Sequence, residues 1–338
     1  MNTTHTTPQC CLIVVNYNGG HYLDNCLQSL QQLKGIPFEV IVVDNASQDG
    51  STQHVPVDDA RFSLLALEDN VGFARANNLA AQRTQAPWIA TINPDTKLPT
   101  NWLEEMLKVA HTHPNAGALG SALVAMDNEQ LWDGMGDVYS IVGFAWRGGH
   151  QRPREQQEHL PLVAETFCSC AAASLYRREL FLTLGGFDES YFCYCEDVDL
   201  GFRIRLMGHS VLQVRTTFAY HAGSAISGRT SAFTIYHGTR NTIWTLFKNM
   251  PWPLLLISLL PHFMLHGVQW FGDVPKEQKQ ARLQGIKHGL KGIPQIISRR
   301  WHNRHQRRVG SWQMARRLSW SPHALLKRAI VLFPTDRA

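Results

Sequence analysis

The sequence predicts an α/β fold: a mostly parallel central sheet with helices on both faces, followed by a helical, basic C-terminal region. Three observations point there. Short Val/Ile-rich runs alternate with helical patterns through the first 125 residues. Polar, turn-forming residues follow three of those runs. The charge is also partitioned: residues 276–328 hold fourteen Lys or Arg against one acid, Glu277, although the whole chain is only +5. Strands covered on both faces read as continuous apolar runs, and such sheets bind ligands at the carboxyl ends of their strands.

Residues 11–15, 40–43, 62–67 and 88–92 predict four buried strands, and 21–33, 51–55 and 71–83 the helical segments between them. Trp102, Leu103, Met106, Leu107 and Ala110 fall at helical spacing and predict a helix packed on the sheet. Residues 127–160, with Gly134, Gly136, Gly143, Gly148 and Gly149, read as a loop-rich insertion over the ligand site. Residues 165–176 are strand-like, and 177–184 form a short helix stopped by Gly185 and Gly186. Beyond Glu196 two readings compete. Val198, Leu200, Phe202, Ile204 and Leu206 alternate as a strand would, whereas Arg203 and Arg205 before Gly208 suit a helix C-terminus. Residues 211–220 predict a further strand.

The 338 residues allow one large domain or two ordinary ones, and 44% hydrophobic with 17% charged residues excludes a disordered chain or a fibre. The seven cysteines are odd in number, and no basic flank precedes the short first apolar run. We therefore expect free thiols in a reducing, cytoplasmic setting. The C-x-C pairs Cys168/Cys170 and Cys193/Cys195 are closer than the usual C-x₂₋₄-C of structural zinc, so small apolar strand residues are the preferred reading. No G-x-G-x-x-G follows the first strand and no G-x-x-x-x-G-K-[ST] occurs, which argues against a dinucleotide dehydrogenase and a P-loop NTPase.

Three ordered groups of residues carry a more specific signal. Val14-Val15-Asn16-Tyr17-Asn18 precedes Val42-Val43-Asp44-Asn45-Ala46-Ser47-Gln48-Asp49-Gly50-Ser51; Asn70-Val71-Gly72-Phe73-Ala74-Arg75-Ala76-Asn77-Asn78 precedes Asn93-Pro94-Asp95-Thr96; and Gly186-Phe187-Asp188-Glu189 precedes Tyr191-Phe192-Cys193-Tyr194-Cys195-Glu196-Asp197-Val198-Asp199-Leu200 and His221-Ala222-Gly223-Ser224. In this order and spacing, across residues 10–245, they resemble family 2 glycosyltransferases, inverting enzymes of the Rossmann-like GT-A fold. The Asn93-Pro94-Asp95-Thr96 and Tyr194–Leu200 forms are most similar to bacterial rhamnosyltransferases of surface-polysaccharide assembly. The resemblance also favours a helix after Glu196.

It implies roles residue by residue. Asp197 matches the catalytic base that takes the acceptor hydroxyl's proton, with Glu196 beside it to orient the acceptor or to pair with Arg203 or Arg205. Asp44 matches the acid that accepts a pyrimidine N3–H, and Asn16 and Tyr17 frame the same base and ribose. Asn45, Asn70, Asn77 and Asn93 complete the nucleotide side, one of Asn70 and Asn77 capping a helix. Asp95 and His221 match the ligands of a divalent cation, Mg²⁺ or Mn²⁺, that neutralises the leaving diphosphate. The family's D-x-D begins here with Asn93, so one carboxylate is missing.

Residues 249–272 carry no Lys, Arg, Asp or Glu, a length that would allow a membrane span. Pro251, Pro253, Pro261, His262 and His266 weigh against one. Basic residues interleaved with Trp301, Trp312 and Trp320 follow, a pattern suited to a segment lying on an anionic membrane surface. A soluble packing surface is the remaining alternative. No nucleic-acid recognition motif is present. We expect a glycosyltransferase domain over 1–245, with a nucleotide-binding half at 10–125 and an acceptor half at 126–245, and a basic helical region over 246–338. The expected activity is transfer of a sugar, L-rhamnose from dTDP-rhamnose, to a lipid-linked glycan acceptor at the cytoplasmic membrane face. The competing readings are a UDP-sugar donor, a non-catalytic nucleotide-sugar-binding module, and a membrane scaffold.

Overall fold

The computed structural model describes residues 7–223, 228, 230–271 and 274–335; Ser224 and Gly272, both part of the sequence reading, lie outside them. The first half runs β1 (Cys10–Asn16), α1 (Gly20–Gln31), β2 (Phe38–Asp44), β3 (Phe62–Ala66), α2 (Gly72–Arg83), β4 (Trp88–Ile92), β5 (Thr96–Lys97), α3 (Trp102–Thr112) and β6 (Ala116–Ala125). There follow β7 (Trp132–Gly134), β8 (Asp137–Tyr139), β9 (Ala145–Arg147), β10 (Val163–Glu165), β11 (Ala173–Arg177), α4 (Arg178–Thr183), α5 (Glu196–Leu206) and β12 (Ser210–His221). The chain then continues through α6 (Ala232–Asn249), α7 (Trp252–Phe271), α8 (Lys276–His302), α9 (Ser311–Ala315) and α10 (Pro322–Leu326).

The sheet order is β10-β12-β6-β11-β4-β1-β2-β3, with β5 added to β12 and β7 to β6. β3, β2, β1 and β4 are mutually parallel, as are β6 and β12; β11 runs antiparallel between the two groups. Alternate residues of β1 point to opposite faces, as strand geometry requires. Cys10, Leu12 and Val14 join a core with α1 and α3, while Cys11, Ile13 and Val15 join one with α2, α4 and α5. The predicted layering of helices on both faces is thus present.

Two segments differ from expectation. The insertion at 127–160 is not simply loop: β7 extends the main sheet, and β8 and β9 form a separate hairpin. The stretch 165–176 is not one strand, because β10 and β11 are separated by Thr166–Ala172, so that the segment leaves the edge of the sheet and re-enters its middle. Residues 196–206 are helical. Eight consecutive residues from Val198 to Arg205 are buried, so no polar face remains to give the segment a helical period.

The C-terminal helices lie against the body. α8 crosses α6 closely: a Cβ at Gly285 would stand 2.8 Å from the Tyr236 carbonyl oxygen, and Trp244 Nε1 donates to the Gly289 carbonyl at 3.0 Å. Leu246, Leu254, Met314 and Leu318 share a core with Tyr139, Phe167 and Phe202. Bridges tie Ser319 to Ser140 and Phe333 to Glu165. Among the described residues, no helix is long and apolar enough to cross a membrane.

Candidate active site

The carboxyl ends of β1, β2 and β4 and the end of β12 meet at one cavity of about 420 Å³. Tyr17, Asn45, Asn70, Asn93, Asp95, Glu196, Asp197 and His221 all line it. Sequence positions 17 to 221 are thereby gathered into one place.

After β2, Asn45 is held by a reciprocal pair. Its Nδ2 donates to Asn70 Oδ1 at 2.9 Å, and its Oδ1 accepts the Val71 N–H at 2.8 Å. Asn70 Oδ1 also accepts the Gly72 N–H at 3.0 Å, closing a turn just before α2, whose N-cap is Val71 without a side-chain cap bond. Tyr17 is 45% exposed, leaving its ring face available for stacking. Asn16, Asp44 and Asn77 are not among the lining residues. Asn16 is buried and donates to Ser47 and Ser51 at 3.0 and 2.9 Å, fixing the loop after β2. Asp44 accepts the Ser47 N–H at 3.0 Å. Asn77 faces into α2 and donates to the Phe73 carbonyl at 2.9 Å.

The middle of the cavity is built by a turn. Thr96 N–H donates to the Asn93 carbonyl at 3.1 Å, with Pro94 at the position where its fixed φ favours such a turn. β5 then pairs with the end of β12, His221 opposite Thr96. This pairing sets His221 Nε2 3.3 Å from Asp95 Oδ1 and 3.4 Å from Asn93 Nδ2. His221 Nδ1 donates to Asp133 Oδ2 at 2.7 Å. Asp95 and Asp133 together push the imidazole up to about 9 against the opposing effect of burial. Asp133 is further held by Arg147 and His150; burial opposes its ionisation, but the Arg147 charge and hydrogen bonds from His150 and His221 keep its carboxyl well below the usual range.

The fit of a divalent cation rests on this donor set. A buried carboxylate and an imidazole nitrogen face one another, and the imidazole's other nitrogen is fixed by a second carboxylate, a common support for a metal-bound histidine. The carboxylate oxygen suits Mg²⁺ or Mn²⁺, and the imidazole nitrogen beside it suits the transition metal of the two.

The lining also includes Glu196 and Asp197 at the start of α5. Asp197 accepts the Ala171 N–H at 3.1 Å and the Val198 N–H at 2.8 Å. Burial still raises its pKa. Glu196 is raised further, by burial and by Asp197, and its Oε2 is buried without a hydrogen-bond partner. Glu196 pairs with neither arginine considered for it: Arg203 pairs with Asp199 at 2.7 Å and Arg205 with Glu165 at 3.1 Å.

The segment before Glu196 is bent through left-handed backbone at Phe192, Tyr194 and Cys195, with φ of 64°, 68° and 64°. Non-glycine residues hold such angles only when their surroundings impose them. Asn241 on α6 does so, donating from Nδ2 to the carbonyls of Tyr191, Cys193 and Tyr194 at 3.0, 2.8 and 2.7 Å. Gly72 leaves room for the bend: a Cβ there would lie 2.6 Å from the Phe192 carbonyl oxygen.

Sequence reasoning missed Asn241 altogether, along with Asp133, Asp137, Trp146 and Arg147 of the insertion. The last three line the cavity. Burial pushes Asp137 up to about 7, and Asp137, Asp197 and Cys170 lie close enough to share an ion. The signal for the insertion residues was present only as a charged run among glycines. All seven cysteines are free, as expected, and no four-thiolate cluster occurs among the described residues.

Known proteins are related to this chain in sequence or in fold. The N-acetylglucosaminyl-diphospho-decaprenol L-rhamnosyltransferase of Mycobacterium tuberculosis is 28% identical over 240 residues, covering 65% of this chain and 78% of that protein. The O-antigen biosynthesis protein RfbC of Myxococcus xanthus is 28% identical over 65% of this chain, but over only 18% of its own length. Among solved structures, S. aureus TarS 1-349 in complex with UDP-GlcNAc superposes with a TM-score of 0.56 at 17% identity, covering 88% of each chain. GalNAc-T7 with UDP, GalNAc and Mn²⁺ gives 0.58 at 13% identity over 87% of this chain and 58% of that one. The fold is that of the GT-A glycosyltransferases. The model of Glycosyl transferase family 2 matches residues 11–185, more than half of the sequence, and the chain belongs to that family.

Proposed function

We propose that this protein is an inverting glycosyltransferase of cell-surface polysaccharide assembly, moving L-rhamnose from dTDP-rhamnose to a hydroxyl of a lipid-linked saccharide at the cytoplasmic face of the membrane. The observation that carries the reading is the one cavity lined together by the amides Asn45, Asn70 and Asn93, the Asp95–His221 pair and the Glu196–Asp197 pair. The rhamnosyl donor and lipid-linked acceptor are drawn from the name of the mycobacterial relative.

In this reading the nucleoside packs beside Tyr17, Asn45 and Asn70. Asp95 and His221 would hold Mg²⁺ or Mn²⁺, which supplies charge neutralisation for the departing diphosphate. The acceptor hydroxyl oxygen bonds to the anomeric carbon as the bond to the diphosphate oxygen breaks on the opposite face, which inverts the configuration. Asp197 takes the hydroxyl proton. Burial makes it a stronger base than a solvated aspartate, and two backbone N–H groups fix its direction. Glu196, with an unpartnered buried oxygen, orients the acceptor.

Calorimetric titration of dTDP and UDP, each with Mg²⁺, Mn²⁺ or EDTA, tests the donor. Tighter, cation-dependent binding of dTDP is expected. A preference for UDP would transfer the proposal to a UDP-sugar, and binding of neither by folded protein would refute the transferase reading.

A further inference from the structure

A second cavity of about 230 Å³ lies away from the active site, between the start of α7 and the end of α8. No Asp or Glu lines it. Of its five basic residues, Lys248 and Arg203 are already neutralised by Asp188 and Asp199. Arg300, Arg304 and Arg307 have no carboxylate partner among the described residues. Arg300 is held by the carbonyls of Phe247 and Met250 at 3.0 and 2.6 Å, and its guanidinium lies 4.6 Å from the Trp252 ring centroid. Arg304 lies over Trp301 at 4.9 Å. Burial and the charge of Arg307 bring Arg300 down to about 10. Three uncompensated guanidinium groups around a concave site, two of them against indole rings, suit a phosphate group.

Trp252 belongs also to a second feature. It heads a ridge along α7 on which Leu256, Leu260, Met264 and Val268 follow at four-residue intervals, each at least 60% exposed, with Ile257 beside them. The opposite face of α7, carrying Leu254, Leu255, Ser258, His262 and His266, is buried against the body. The helix is therefore apolar on its outer face, and its basic end is the arginine cavity. An apolar helix face edged by cations matches the depth profile of a leaflet, with phosphates outside and acyl chains within.

We propose that α7 lies in the membrane interface with the ridge from Leu256 to Val268 among acyl chains, and that Arg300, Arg304 and Arg307 hold the phosphate of an anionic phospholipid. The inference rests on the membrane placement proposed above and gives it a site.

The test is sedimentation of the full chain with phosphatidylcholine vesicles, with and without phosphatidylglycerol. Wild type is expected to partition onto the anionic vesicles at least tenfold more than onto neutral ones. Arg304→Glu with Arg307→Glu is expected to remove that preference, and Leu260→Asn to weaken binding to both. Calorimetric binding of dTDP and UDP is followed in the same samples and is expected to be unchanged. Loss of vesicle binding with nucleotide binding retained in wild type would overturn this inference alone, whereas absence of nucleotide binding would strike the transferase reading. Full anionic preference in the charge-reversed variant overturns the phosphate site. Calorimetric binding of inorganic phosphate by the lipid-free protein that Arg304→Glu with Arg307→Glu abolishes, while the same variant keeps its anionic preference, would make the cavity a site for the free anion and overturn the lipid assignment. A dimer in size-exclusion chromatography that Leu260→Asn dissociates would assign the ridge to a second copy instead.

Discussion

His221 and Asp133, 88 residues apart in sequence, meet at 2.7 Å between Nδ1 and a carboxylate oxygen, and this contact turns Nε2 toward Asp95. The supporting carboxylate comes from the insertion between β6 and β11, not from any strand of the nucleotide-binding half. Asp133→Asn should therefore weaken Mn²⁺ binding about 10–100-fold while leaving nucleotide binding without metal intact. Calorimetry of the cation, with and without nucleotide, measures both; an unchanged cation affinity would remove Asp133 from the site.

Asp197→Asn is expected to lower kcat by about 10²–10⁴. The thermal midpoint should change little, because the amide avoids burying a charge but can accept only one of the two backbone N–H groups that the carboxylate accepts. Retained turnover in the folded variant would disprove the base assignment.

Asn241→Ala leaves three carbonyls of the 191–194 bend without their shared donor. The expected result is a fall in kcat larger than the rise in donor KM, since the bend aims the catalytic pair rather than the nucleotide wall. Gly72→Ala should act in the same direction by pushing Phe192 aside. Equal kcat in wild type and both variants would show the bend to be self-supporting.

Lys248 is buried between Asp188 and Asp199, at 2.7 and 2.8 Å, and joins α6 to the start of α5. Lys248→Met removes one of two cations from each carboxylate, leaving Asp199 with Arg203 and Asp188 with Arg299, and should cost about 1.5–3 kcal/mol. Urea unfolding at neutral pH reads this directly; a loss below 1 kcal/mol would contradict the arrangement.

His266 is buried on α7 with no hydrogen-bond partner for either ring nitrogen among the described residues, and burial brings its pKa down to about 3. The unfolded chain binds this proton near pH 6.5 and the native state does not. Its stabilising contribution is thus complete above that pH and lost as pH falls toward 3. Relative to His266→Leu, wild type should lose about 2 kcal/mol between pH 7 and pH 5. Parallel stability curves for the two proteins over that range would refute the assignment.

Much of this was legible in the sequence. The runs that form β1, β2 and β4 could be read because strands covered on both faces need uninterrupted apolar residues, and the polar residues that end them mark the cavity. Asp95, Glu196, Asp197 and His221 were legible through motif resemblance. Other features were hidden for physical reasons. β6 is so rich in Ala and Gly that it carries little strand signal, although all ten of its residues are buried. α5 has no exposed face and so no helical period. Asn16 and Asn77, read as nucleotide contacts, are buried asparagines whose amides satisfy local hydroxyl and backbone groups. Asp133, Arg147 and Asn241 act through neighbours distant in sequence, and no local pattern reports such a partner.

The Asn241 amide grips a segment that was synthesised up to fifty residues earlier. On the ribosome, the stretch bearing Glu196 and Asp197 must wait for α6 to emerge before its bend acquires a donor. Until then the nascent chain holds the strand ends of the cavity while the Glu196–Asp197 segment lacks the amide that sets its direction. Assembly of the site would therefore follow the emergence of α6, not of the sheet alone.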